Sequence, residues 1–303
     1  MVDSLLSRGN EIVIIDNFND YYDPQIKQNN LKNALTNSRC RLYCDDINNT
    51  EVLDQIFTSY HFDAVIHLAA RAGVRPSLDN PLEYVHSNIS GTVSVLEKMR
   101  QYQVKKIIFA SSSSVYGNCQ AKKFSENLKV TEPISPYAAT KLSGEQIIYT
   151  YSHLYGIQSV CLRFFTVFGP RQRPDLAIRK FIAAIRQSQP IHMYGDGSTM
   201  RDYTYIDDIL AGIQAAIDYK NSPYEIINLG GGAPITLSQM ITTLEEILNQ
   251  KAIIVQDAMQ PGDVNKTIAD ITKAEQLLHY HPSIDFASGI EKFIYWFDQQ
   301  ESK

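Results

Sequence analysis

The run Lys106-Ile107-Ile108-Phe109-Ala110-Ser111-Ser112-Ser113-Ser114-Val115-Tyr116-Gly117 decides the fold class. Its apolar residues are consecutive rather than alternating, which is the signature of a strand buried on both faces, as in a parallel sheet. The strand then empties into serine hydroxyls at its carboxyl end, where open α/β sheets bind their ligands. Runs of the same kind lie on either side: Glu11-Ile12-Val13-Ile14-Ile15-Asp16, Cys40-Arg41-Leu42-Tyr43-Cys44, Ala64-Val65-Ile66-His67-Leu68-Ala69-Ala70 and Val160-Cys161-Leu162-Arg163-Phe164-Phe165. Helical patterns over 26–35, 51–60, 81–102 and 136–155 separate them. Strands alternating with helices at this spacing predict an α/β fold with a right-handed, doubly wound parallel sheet.

After Phe165 the pattern becomes less regular. A basic loop, Gly169-Pro170-Arg171-Gln172-Arg173-Pro174, precedes a helix over 177–187, a Gly195-Asp196-Gly197 turn and a helix over 208–218. A strand over 224–229 then leads to Gly230-Gly231-Gly232. The expected division is a Rossmann-like domain over 1–165 and a smaller substrate domain over 166–303, with 205–230 returning to the sheet.

Composition narrows the classes. A 303-residue chain buries roughly 75% of its unfolded surface, enough for a full core. The formal net charge of −5 has the wrong sign for a nucleic-acid binder. No apolar run approaches the ~18 residues of a membrane span, and the first residues do not form a signal peptide. Cys40, Cys44, Cys119 and Cys161 lack paired spacing, so reduced thiols in a cytoplasmic protein, with no metal, are expected.

The candidate chemistry sits in Ser135-Pro136-Tyr137-Ala138-Ala139-Thr140-Lys141. Ser135 is a good N-cap and Pro136 is preset for a first helical turn. A helix entered there places Tyr137 and Lys141 on one face. A free tyrosine titrates near ~10, and a nearby ammonium lowers that value, so the pair is a candidate acid/base as well as an ordinary surface pair. Asp16, ending its strand, is able to accept two hydrogen bonds from a ribose diol or simply to close the strand. His67, inside an apolar run, reads as a satisfied core histidine. Ala69, Ala70, Ala72 and Gly73 let a ligand approach the backbone closely.

With these residues in view, the chain resembles the extended short-chain dehydrogenase/reductases that act on nucleotide sugars, most closely the NAD-dependent UDP-sugar 4-epimerases. The resemblance runs from Met1 to Trp296. It rests on Asp16-Asn17, Asp46-Ile47, His67-Leu68-Ala69-Ala70, Asn88 with Gly91-Thr92, the serine run, Tyr137 with Lys141, Arg163-Phe164-Phe165, Arg201-Asp202-Tyr203 and Pro261-Gly262-Asp263. Each motif is weak alone; their order and spacing are specific. The resemblance implies that Tyr137 is the acid/base, that Lys141 binds the nicotinamide ribose and lowers the tyrosine pKa, and that Ser112 bridges Tyr137 and the sugar O4. It implies NAD contacts from Asp16, Asn17, Asp46, Ile47, Leu68, Ala69, Ala70, Asn88 and Phe164, and UDP contacts from Arg201 and Asp263. The implied reaction removes a proton from O4 and a hydride from C4, lets the 4-keto sugar turn over, and returns the hydride to its other face. It also implies a homodimer built on the helices over 81–102 and 136–155.

Ser113, Ser114, Thr166 and Arg173 cluster near the expected sugar position, and hydroxyls plus an arginine suit a sugar carboxylate. The loop at 169–175 and the run Met259-Gln260-Pro261-Gly262-Asp263 resemble those of UDP-glucuronate 4-epimerases, although Gln260 stands where many relatives carry arginine. UDP-glucuronate/UDP-galacturonate is the expected pair, with UDP-glucose/UDP-galactose as the alternative. A 4,6-dehydratase would carry Asp-Glu where Ser113 and Ser114 stand. One departure is large. The family opens with a strand and a glycine-rich turn that binds pyrophosphate, and Val2 to Gly9 match only the end of the helix that follows it. About 20 residues of that opening are expected to be missing. That leaves unpaired strand edges, and a second alternative, a truncated and inactive homologue unable to hold NAD.

Overall fold

The computed structural model describes residues 1–259 and 264–301. Its centre is a parallel sheet in the order β10-β5-β4-β3, formed by β3 (Val65–His67), β4 (Lys106–Ser112), β5 (Gln158–Phe164) and β10 (Tyr224–Leu229). Two more parallel strands, β1 (Ile12–Ile15) and β2 (Cys40–Tyr43), pair only with one another. Among the described residues, β1 and β3 therefore each keep one edge without a strand partner, as the sequence led us to expect.

The uninterrupted apolar character of β4 is explained by its two faces. Ile107 and Phe109 pack with Leu53, Ile56, Leu96, Met99 and Ile148. Ile108 points the other way, into Val160, Leu162, Ile209, Ile213, Ile227 and Leu229. All three are at most 1% exposed, so each contributes roughly 1.5–3 kcal/mol of burial. Strand alternation thus feeds two helical layers from one strand.

The helix Pro136–Tyr155 carries the Tyr137/Lys141 pair and begins as its sequence dictates. The Ser135 hydroxyl accepts from the Ala138 N–H at 3.1 Å, and Pro136 opens the first turn. Gly144 lets this helix lie against β4, since a Cβ there would stand 2.6 Å from Phe109 Cζ. The expected helix over 81–102 is present but not uniform. It runs α over Pro81–Tyr84, π over Val85–Ser90 and α over Gly91–Gln101. The wide turn coincides with Asn88, whose side chain is directed inward, and such bulges cluster at functional sites.

In the second half, β6 (Thr166–Phe168) pairs in parallel with β9 (Tyr203–Tyr205), β7 (Pro190–Tyr194) with β12 (Ile253–Asp257), and β8 (Met200–Arg201) antiparallel with β11 (Ile235–Thr236). Their core is Phe168, Ile182, Ile185, Met240, Leu244 and Phe293. Buried Asp202 accepts N–H donors from Gly231, Gly232 and Ala269, which ties β8–β9 to the chain leaving β10. The return of 224–229 to the first sheet, expected from sequence, is the β10–β5 pairing.

Candidate active site

Ser112 is the last residue of β4 and caps the short 3-10 turn Ser113–Tyr116, its hydroxyl accepting from the Ser114 N–H at 3.2 Å. Tyr137, on the first turn of its helix, has its phenol near Ser112, whose hydroxyl favours the phenolate. Phe164 is the register partner of Ser112 on β5, so a serine hydroxyl, a phenol and an aromatic ring meet at one end of the sheet. Lys141 lies one turn further along, 3% exposed, with Nζ donating to the Ala110 carbonyl at 2.7 Å and standing 5.0 Å from the Phe109 ring centroid.

Burial pushes the Tyr137 phenol above its ordinary value, against the downward pull of the Ser112 hydroxyl and the Arg173 charge. Burial drives Lys141 itself down to about 8, opposed by Cys161 and Glu145, and its ammonium is engaged by Ala110 and Phe109.

Beneath Lys141 lies a pair that the sequence reading missed. Glu145 and Arg163 are at most 1% exposed and joined by two hydrogen bonds of 2.7–2.8 Å. Ser111 donates to the same carboxylate at 2.5 Å, and Arg163 stacks over Tyr116 at 4.8 Å. One carboxylate thereby joins the helix of Tyr137, the end of β4 and the strand of Phe164. The signal was available: Glu145 falls four residues after Lys141, on the same helical face.

The residues expected around NAD divide by geometry. Asp16 is exposed at the end of β1, with Oδ1 accepting from the Phe18 N–H at 2.8 Å. Asn17 donates to Asp46 at 2.7 Å, so these two stand together across β1 and β2. Leu68 is 45% exposed and, with exposed Ala69 and half-buried Ala70, forms the lip beyond β3. A strand-end carboxylate, a second carboxylate and a small-residue lip fit the adenosine half of a dinucleotide. Ile47 and Asn88 are placed otherwise. Ile47 is 7% exposed and packs in the core with Val95 and Leu96, leaving only its main chain to a ligand. Asn88 is a brace: it accepts from the Arg71 N–H at 2.7 Å and donates to the Arg71 carbonyl and to Thr140 Oγ1. His67 is the core histidine expected, 2.9 Å from Thr92 Oγ1 and pushed down to about 3 by burial.

Ser113, Ser114, Thr166 and Arg201 line one cavity of about 130 Å³ with Val74, Ile134 and Val264. Arg173 lies close enough to lower the Tyr137 pKa; its Nε and Nη2 both bond Asp175 at 3.0 Å. Asp263 and Gln260 lie outside the described residues. The four cysteines are free, and no group of three or more metal-ligating side chains occurs among the described residues. No helix there is long and apolar enough to cross a membrane.

A doubly wound parallel sheet with Ser112, Tyr137 and Lys141 at the carboxyl end of β4 defines a short-chain dehydrogenase/reductase. The chain belongs to the GDP-mannose 4,6 dehydratase family, whose model matches residues 1–293. It is similar to a UDP-glucuronate 4-epimerase of Thermodesulfobacterium geofontis, 46% identical over 293 residues that cover 96% of this chain and 90% of that one. It is also similar to UDP-glucuronic acid 4-epimerase from Bacillus cereus, solved in complex with UDP-glucuronic acid and NAD. There the TM-score is 0.93 at 37% identity, covering 99% of this chain and 95% of that one. UDP-glucose 4-epimerase from Thermotoga maritima, solved with UDP-glucose, gives 0.90 at 30% identity, with 99% and 94% covered.

Proposed function

We propose that this protein is an NAD-dependent UDP-sugar 4-epimerase whose substrates are UDP-glucuronate and UDP-galacturonate. The observation that carries this reading is Arg173 reaching the Tyr137 site: it shares the Ala72 carbonyl with Tyr84, which packs edge-on against Tyr137, so an acid/base and a carboxylate-binding cation stand close together. Ser112 and Tyr137 take the proton from the sugar O4 and give it back, a role suited to a phenol with a hydroxyl partner. Bound NAD supplies the hydride acceptor and donor for C4. Asp16, Asn17, Asp46 and the lip at Leu68–Ala70 hold its adenosine half, and Lys141 and Phe164 face its nicotinamide half. Ser113, Ser114 and Thr166 offer hydroxyls to the sugar, Arg173 its fork to the uronate, and Arg201 and Asp263 hold the UDP end. Ser113 and Ser114 stand where a 4,6-dehydratase would carry its Asp-Glu pair, and the described residues lining the 130 Å³ cavity include no carboxylate, which argues against dehydration across C5–C6.

We assign the Rossmann-like domain to residues 1–165 and the substrate domain to 166–303. A homodimer is supported by the exposed apolar side chains on the two helices expected to pair: Leu82 at 81% and Val85 on one, Tyr149 and Leu154 on the other. Free thiols suit a cytoplasmic location. The test is incubation of purified protein with NAD and each UDP-sugar, reading C4 configuration by NMR. Conversion of UDP-glucuronate to UDP-galacturonate is expected. Conversion of UDP-glucose alone would move the assignment to the galactose pair, and folded protein without bound NAD or turnover would leave the fold without the chemistry.

A further inference from the structure

Arg173 is held by contacts from three separate segments. Asp175 takes Nε–H and one Nη2–H along the side of the guanidinium, both at 3.0 Å. The Ala72 carbonyl, in the loop after β3, accepts from Nη1 at 3.4 Å. The flat face lies over the Tyr21 ring, 5.2 Å from its centroid. Tyr21 comes from the loop after β1, and its hydroxyl comes close to that of Tyr84. Tyr84 in turn donates to the same Ala72 carbonyl at 3.3 Å and packs edge-on against Tyr137, ring centroids 6.1 Å apart. Gly73 makes the approach possible: its φ is +119°, and a Cβ there would stand 2.8 Å from the Tyr21 hydroxyl oxygen.

This arrangement leaves a defined part of the guanidinium over. With the Nε/Nη2 side occupied and one Nη1–H on Ala72, one N–H on each of Nη1 and Nη2 remains among the described contacts, a fork matched to a second carboxylate. We propose that Tyr21 and Asp175 are positioning residues for sugar selection: they lock Arg173 so that its remaining fork faces the sugar beside Tyr137. A long arginine otherwise loses rotamer freedom on each binding event, and a pre-stacked, pre-bridged one does not. The locking favours a sugar bearing a carboxylate at C5 over one bearing a hydroxymethyl group. This inference rests on the UDP-uronate reading above.

The experiment measures Kd for UDP-glucuronate and for UDP-glucose on NAD-loaded protein, in a Tyr137→Phe background that prevents turnover. Tyr21→Leu and Asp175→Asn are each expected to weaken UDP-glucuronate about tenfold and UDP-glucose by less than about twofold, since only the charge-assisted pair is disturbed. Tyr21→Phe, which keeps the stacked ring and loses only the hydroxyl, is expected to fall between parent and Tyr21→Leu. Equal weakening of both ligands, which a merely structural role would give, overturns the proposal, and so does unchanged uronate binding. A parent protein that does not prefer UDP-glucuronate removes the substrate reading itself, and this inference with it. A parent that does prefer it, alongside insensitive variants, removes this inference alone.

Discussion

Tyr137, Lys141 and Ser112 were legible because their placement is a local matter. A Ser-Pro helix start fixes the first turn, and the end of an apolar strand fixes the serines. The direction of the Tyr137 shift was not legible, because burial raises it and the opposing Arg173 approaches from 36 positions further along the chain. Tyr137→Phe is predicted to lower turnover about 10²–10⁴-fold with the Kd for UDP-glucuronate nearly unchanged, measured by single-turnover assay and calorimetry. His67 gives a prediction of stability. Its folded-state value lies near 3 against an ordinary 6.5. Between those values the unfolded chain binds a proton that the folded one refuses, so stability falls as pH drops from 6.5 towards 3. In His67→Leu that part of the pH dependence disappears, at the expense of the Thr92 hydrogen bond. Urea unfolding at a series of pH values checks it, and an unaltered slope would count against a buried neutral imidazole.

At the scale of elements, β4 was decisive in the sequence and is decisive in the structure, since its two faces feed both helical layers. The π turn over Val85–Ser90 was invisible in the pattern, because a single added residue per turn is imposed by Asn88 bridging to Arg71 and Thr140. The short strands of the second half were equally hidden, β8 and β11 being two residues each. The Glu145–Arg163 pair is the joint between helix and sheet. Arg163→Met leaves the Glu145 carboxylate buried without its counter-charge, and is predicted to cost about 3–5 kcal/mol in urea unfolding. Adding Glu145→Leu to it should recover most of that loss, because a packed apolar pair needs no desolvated charge. A double variant no more stable than Arg163→Met would show that the pair is not energetically coupled.

For the whole molecule, the sheet falls into a two-stranded and a four-stranded part, and the carboxyl ends of both carry candidate ligand residues: Asp16 and Asn17 on one, Leu68, Ser112 and Phe164 on the other. The two halves of the expected dimer helix pair are joined within the chain by Tyr151 donating to Glu97 at 2.5 Å, while Tyr149 and Leu154 are left 51% and 59% exposed. If the chain pairs through these helices as proposed, Tyr149→Glu with Leu154→Glu is predicted to give a monomer by light scattering where the parent is a dimer, since the added charges would be left unpaired; a parent that is itself monomeric, or a dimer left undisturbed, would contradict the proposed pairing. The most direct measurement of the central claim uses UDP-glucuronate deuterated at C4. If the Ser112–Tyr137 site runs a reversible oxidation at C4, the UDP-galacturonate formed keeps its deuterium and no reduced nicotinamide accumulates. Deuterium lost to solvent, or an oxidised sugar accumulating with reduced cofactor, would contradict it.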